Sequence, residues 1–152
     1  MSIRVEEVMV KTVVTVDTNK SAKDAADIMN RFEIGSLIVV KKDKAIGIVT
    51  ERDLLKRVVS EDRDPKKTKV GDIMSKPLIV VEPATELEEA ARLMFKMKIK
   101  KLPIVEQGKL LGLVTLTDLA RFQPEMMKVL KQLAQTQQAP KSIEKVMHYY
   151  IS

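Results

Sequence analysis

Gly47-Ile48-Val49-Thr50-Glu51-Arg52-Asp53 and Gly112-Leu113-Val114-Thr115-Leu116-Thr117-Asp118 are one seven-residue pattern written twice, Gly-apolar-apolar-Thr-x-x-Asp. The two lie 65 positions apart, and the offset extends outward without a gap: residues 5–57 fall on 70–122 with about sixteen identities. Met9/Met74, Ala25/Ala90, Ala26/Ala91, Val49/Val114 and Asp53/Asp118 are among them. About a dozen other pairs exchange one apolar residue for another. A fixed period marks each copy as one supersecondary unit, and two copies make a pseudo-twofold pair. Two copies that bury one shared face leave two equivalent clefts, where function is expected to lie.

The periodicity changes in the same order in each copy. Val13-Val14-Thr15-Val16 and Leu78-Ile79-Val80-Val81 read as short strands. Ala22, Ala25, Ala26, Met29 and Phe32 then follow helical spacing, as do Leu87, Ala90, Ala91, Met94 and Met97. Ser21-x-x-Asp24 and Thr85-x-x-Glu88 offer N-caps, one position out of step with each other. Leu37–Val40 and Leu102–Val105 are apolar strands, with Pro103 marking an edge or an irregularity. Polar turns at 41–44 and 106–109 follow, with Gly108 expected at positive φ. A third strand ends each pattern at Thr50 or Thr115, and a second helix starts near Asp53 or Asp118. The predicted fold is α+β: two β-α-β-β-α repeats over 5–59 and 70–122, a polar linker at 60–69, and C-terminal helices over 123–152. A repeat of about 53 residues is marginal alone, so one joint core is expected.

Composition narrows the function classes. The 152 residues are 45% hydrophobic and 32% charged, as in a globular protein. No apolar run approaches the roughly 18 residues needed to span a bilayer, and the N-terminus has no apolar signal core, so the cytoplasm is the expected compartment and no membrane partner is. Zero cysteines exclude disulfides and thiol chemistry. The net charge of +6 invites a nucleic-acid reading. Against it, acids interrupt the bases, as in Glu61-Asp62-Arg63-Asp64, and five aromatics give little surface for base stacking. No nucleophile–base pair, metal triad or phosphate-binding Gly-rich loop is visible, so neither an enzyme nor a metal site is expected. His148 is a lone histidine.

The doubled motif, the Met-x-x-x-apolar openings at Met9–Val13 and Met74–Leu78, and the β-α-β order together resemble a tandem pair of CBS domains, a Bateman module, over roughly residues 5–122. The resemblance implies a regulatory module that binds adenosine compounds: AMP, ADP or ATP, with S-adenosylmethionine and NAD(H) as further candidates. It implies that the motif Asp holds ribose hydroxyls and the motif Thr stands near phosphate, with the base held by strands of the opposite copy. One cleft would then use Thr50, Asp53, Leu78, Ile79, Lys100, Lys101 and Pro103. The other would use Thr115, Asp118, Thr12, Val13, Val14, Gly35, Ser36 and Leu37. Lys98, Lys100 and Lys101 would suit the first cleft to a polyphosphate and leave the second to a less charged or smaller ligand.

Elementary chemistry supports that assignment. A carboxylate can accept a hydrogen bond from each hydroxyl of a vicinal diol. A Thr at a helix start stands beside unpaired N–H groups that attract phosphate. The bland reading has the same spacing: Thr-x-x-Asp is also a capping box, each contributing about 1 kcal/mol. In the tail, Met126, Met127, Leu130, Leu133 and Ala134 form a stripe beginning at Pro124, and Ser142 could cap a last helix bearing Ile143, Val146, Met147 and Tyr150. Those helices either pack on the module or clasp a second subunit or an effector protein. The resemblance also implies a homodimer. Two alternatives stand beside nucleotide sensing: a basic nucleic-acid-binding protein, and a structural dimerisation module with empty clefts.

Overall fold

The structure, a computed structural model of the chain, describes residues 3–136, so the helix expected after Ser142 and the lone His148 lie outside the described residues. The elements in chain order are α1 (Val5–Val8), β1 (Thr15–Asp17), α2 (Ala22–Phe32), β2 (Ser36–Lys41), β3 (Lys44–Thr50), α3 (Glu51–Leu54), α4 (Val70–Ile73), α5 (Leu87–Met97), β4 (Lys101–Glu106), β5 (Lys109–Thr115), α6 (Leu116–Phe122) and α7 (Pro124–Thr136). They form two compact units. The first holds Val13–Leu78 and Gly108–Leu110; the second holds residues 3–12, 79–107 and 111–136. The fold is mixed α+β, as the sequence predicts.

Each unit takes the body of one repeat and the opening segment of the other. The exchange is fixed by matching backbone bonds. In the first unit Ala22 N donates to Thr68 O (2.8 Å) and Val70 N to Lys20 O (2.8 Å). In the second, Leu87 N donates to Ile3 O (2.7 Å) and Val5 N to Thr85 O (2.8 Å). These bonds give partners to N–H groups that a helix start leaves orphaned. A short helix of four residues could not persist without such support.

In the first unit β2 and β3 form an antiparallel hairpin from Ser36↔Thr50 to Lys41↔Lys44, and β1 runs parallel to β2. Helix α2 is capped by Ser21, which accepts from Asp24 N while the Asp24 carboxylate accepts from Ser21 N. Val16, Ala22, Ala25, Met29, Leu37, Val39, Val49, Val58, Val70 and Ile73 make one core cluster. Beyond α3 the helix widens to π geometry over Leu55–Val59. Arg57 from that turn donates to Ile73 O (3.0 Å) and Met74 O (2.9 Å), holding the end of α4.

In the second unit β5 neighbours β4. Its core cluster is Val5, Leu87, Ala90, Ala91, Met94, Leu102, Ile104, Val114, Leu119 and Leu130. Leu130, with Met126 and Met127 packed beside it, shows α7 lying on this core, so that helix takes the bland reading of the tail.

Three expectations need correction. Leu78–Val81 forms no strand, only a bridge Val81↔Ile104. Its counterpart β1 pairs Thr15 with Ile38, and Pro103 stands where Ile38 does, lacking the N–H that the ladder needs. Thr85 is not the cap of α5: the cap position is Glu86, the counterpart of Ser21, and it makes no side-chain bond. Phe32 leaves the buried stripe at 51% exposure, where α2 ends with Glu33 in the left-handed region. Val58, near the end of the first repeat, is buried in the first core. The linker is itself tied down, with Thr68 buried and its hydroxyl donating to Asp64 O (2.8 Å).

Candidate functional site

The two Thr-x-x-Asp motifs occupy the same place in both units, between the last strand of a hairpin and the helix after it. In the first unit Thr50 caps α3: its Oγ1 accepts from Asp53 N (3.1 Å), and Asp53 Oδ2 accepts from Thr50 N (2.9 Å). In the second, Thr115 caps α6: Oγ1 accepts from Asp118 N (3.1 Å), and Asp118 Oδ2 accepts from Thr115 N (3.1 Å). Both motifs are thus complete capping boxes. Asp53 is 6% exposed and Asp118 9%, an unusual burial for carboxylates that the boxes explain.

The glycine that opens each motif admits the other repeat's opening segment. A Cβ on Gly47 would stand 2.7 Å from Met74 Sδ and 3.0 Å from Ser75 O. A Cβ on Gly112 would stand 2.6 Å from Met9 Sδ and 2.9 Å from Val10 O. The close approach is to backbone and a methionine, which accounts for both glycines and both methionines in the repeat. The segments are then stitched alike. Ser75 and Ile48 exchange bonds of 2.7 and 3.1 Å, and Val10 and Leu113 exchange bonds of 2.9 and 3.0 Å.

The remaining expected site residues divide by unit. Thr50, Asp53, Leu78, Val13, Val14, Gly35, Ser36 and Leu37 belong to the first; Thr115, Asp118, Thr12, Ile79, Lys100, Lys101 and Pro103 belong to the second. Within the first, Glu51 N donates to Gly35 O (3.0 Å) and Ser36 is in register with Thr50. Glu51 Oε1 stands 3.0 Å from where a Cβ on Gly35 would lie. Within the second, Leu116 N donates to Lys100 O (3.0 Å), so Lys100 and Lys101 lie beside the Thr115 box. Lys101 is half-buried, and desolvation holds its ammonium below the ordinary lysine value of 10.5. Pro103 and Leu37 are buried in their strands; Pro103 O accepts from Val81 N (3.1 Å).

Sequence reasoning missed one polar residue. Ser75 Oγ donates to Asp53 Oδ1 at 2.9 Å, and Thr50 Oγ1 lies 3.1 Å from Asp53 Oδ2. The available signal was a mismatch: after the shared Met9 and Met74 the copies read Val10 and Ser75. No hydrogen bond among the described residues reaches Asp118 Oδ1, and no buried side-chain oxygen is left unpaired, so that atom meets solvent. No group of three metal-ligating side chains occurs among the described residues, and no helix there is long and apolar enough to cross a membrane.

Two complete Gly-apolar-apolar-Thr-x-x-Asp units, each joined to the other repeat's opening segment, define a tandem repeat protein with its distinctive residues at the helix starts. The CBS domain model matches residues 5–60 and again 70–125, so the chain belongs to the CBS domain family and carries two copies. It is 37% identical over 116 residues to a CBS domain-containing protein, YhcV, of Bacillus subtilis, covering 76% of this chain and 82% of that one. It is 34% identical to an inosine-5'-monophosphate dehydrogenase of Methanocaldococcus jannaschii, over 78% of this chain but only 23% of the enzyme. Among solved structures, the hexameric CBS-CP12 protein from bloom-forming cyanobacteria is similar at a TM-score of 0.66 and 33% identity, over 81% of this chain and 68% of that one.

Proposed function

We propose that this protein is a regulatory module that binds an adenosine nucleotide of the AMP, ADP or ATP class and passes the state of that ligand to a partner. Asp118 and Asp53 receive the ribose hydroxyls, and Thr115 and Thr50 stand near phosphate. The observation that carries this reading is Asp118 Oδ1, a carboxylate oxygen of a mostly buried residue that has no partner among the described residues and meets solvent. A cap alone uses one oxygen; a diol can use the other. The signal is a population shift: a nucleotide that contacts one arrangement of the chain more strongly than another favours it. No step of bond chemistry belongs to this role. Self-association belongs to the same proposal: Leu55 and Val59 are 61% and 63% exposed and offer apolar surface for a homodimer.

The test is a thermal-shift panel with AMP, ADP, ATP, S-adenosylmethionine and NAD(H). A nucleotide at a hundred times its Kd stabilises by about 2.7 kcal/mol. For a chain of this size that is roughly 5–10 °C in Tm. The Asp53→Ala/Asp118→Ala variant should show no shift. Flat melting curves with the whole panel would refute the reading. Loss of dimer on Leu55→Glu with no ligand effect would favour the structural alternative, and binding to DNA or RNA that the Asp variants leave intact would favour the nucleic-acid one.

A further inference from the structure

The two aspartates have the same role in capping and different capacities for anything else. A carboxylate offers about four acceptor positions. Asp53 has three hydrogen-bond contacts: Thr50 N and Thr50 Oγ1 at Oδ2, and Ser75 Oγ at Oδ1. About one position remains, too few for both hydroxyls of a ribose. Among the described residues Asp118 accepts only from Thr115 N, so its Oδ1 has no protein partner there. The difference comes from one side chain. Val10 and Ser75 are equivalent in the repeat and are paired alike, with Leu113 and Ile48, so the backbone brings both to the same place beside the aspartate. Ser75 supplies a hydroxyl there and Val10 supplies methyl groups.

Charge runs in the same direction. The Thr50 box has the Glu51 carboxylate beside Gly35, while the equivalent place by the Thr115 box is held by Leu116 and Lys100, followed by Lys101. A phosphate meets a carboxylate at the first, with Arg52 next to it in the chain, and two lysines at the second.

We infer that Ser75 is the residue that sets the order of filling: its hydroxyl occupies Asp53, so a nucleotide binds first through Asp118 and reaches Asp53 only by displacing Ser75. This deepens the nucleotide reading above and rests on it. Displacing a hydroxyl from a charged acceptor weakens the Asp53 event about tenfold, equivalent to ~1.4 kcal/mol.

Calorimetric titration of the full chain with AMP, ADP and ATP in turn tests it. In the wild type the tighter event disappears in Asp118→Ala and survives in Asp53→Ala. Ser75→Val and Ser75→Ala tighten the Asp53 event about tenfold, and Ser75→Thr, which keeps the hydroxyl, restores the wild-type value. Val10→Ser, at an exposed position where folding is not at stake, weakens the Asp118 event by a similar factor. The inference is overturned if Asp53→Ala removes the tighter event, or if Ser75→Val and Val10→Ser both leave affinities within twofold while binding itself persists. Absence of heat with all three nucleotides in every variant overturns the nucleotide reading, and this one with it.

Discussion

Replacing Asp53 with alanine should destabilise the ligand-free protein more than replacing Asp118, although the two are equivalent in the repeat. Asp118→Ala removes one cap bond, from Thr115 N at 3.1 Å. Loss of such a cap costs about 1 kcal/mol. Asp53→Ala removes the same bond at 2.9 Å and also the acceptor of Thr50 Oγ1 at 3.1 Å and of Ser75 Oγ at 2.9 Å. Hydrogen bonds to charged groups contribute about 1.5–3 kcal/mol, and the hydroxyl left behind recovers part of that from water because Ser75 is only half-buried. The expected costs are therefore about 2–3 kcal/mol for Asp53→Ala and about 1 kcal/mol for Asp118→Ala. At roughly 2–4 °C per kcal/mol, Tm should fall about 5–10 °C in the first case and about 2–4 °C in the second. Circular dichroism melts and urea titrations without nucleotide measure both. An Asp118→Ala loss equal to or larger than that of Asp53→Ala would refute the hydrogen-bond asymmetry on which the order of filling depends.

Three further outcomes are expected. Gly112→Ala places a methyl 2.6 Å from Met9 Sδ and 2.9 Å from Val10 O, so it should destabilise by about 1–3 kcal/mol in urea unfolding; a neutral variant would contradict the close approach. Asp24 is held below its ordinary value of 3.8 first by the Ser21 backbone N–H and then by the Ser21 hydroxyl, so its contribution to stability is present above that value and is lost as pH falls through the lowered one. Ser21→Ala should move the Asp24 carboxyl part of the way back in an NMR titration, and no movement would discount the side-chain bond. Lys101, held below 10.5 by desolvation, opposes folding while charged, and its contribution becomes more favourable as pH rises from its lowered value toward 10.5. Lys101→Met should therefore raise Tm at neutral pH by an amount that shrinks near pH 10, and a Tm unchanged at both pH values would count against the desolvation.

The repeat made the element order legible because its evidence is local: helical spacing at Ala25/Met29 and Ala90/Met94, alternation and turns in the hairpins, and a Thr before the second helix of each copy. The strand at Leu78–Val81 failed for a reason outside its own residues, the missing N–H of Pro103 in the neighbouring strand. The cap at Thr85 failed because α5 starts in step with α2, which puts Glu86, the counterpart of Ser21, at the cap position. The exchange of opening segments was not legible, since Val5–Val8 and Val70–Ile73 carry the same pattern and could pair with either repeat by local rules. The capping boxes of the two aspartates were legible from their spacing. Ser75 was not, because a difference between copies carries meaning only once both are seen against the same carboxylate.

The central claim is that a carboxylate at the start of the helix holds the sugar of a nucleotide, and the sugar itself tests it. Calorimetric comparison of AMP and ATP with their 2'-deoxy counterparts changes one hydroxyl and nothing in the protein. Loss of one hydrogen bond to a charged acceptor should weaken the deoxy nucleotides about tenfold or more. Equal affinities for the ribose and deoxyribose forms would contradict the account.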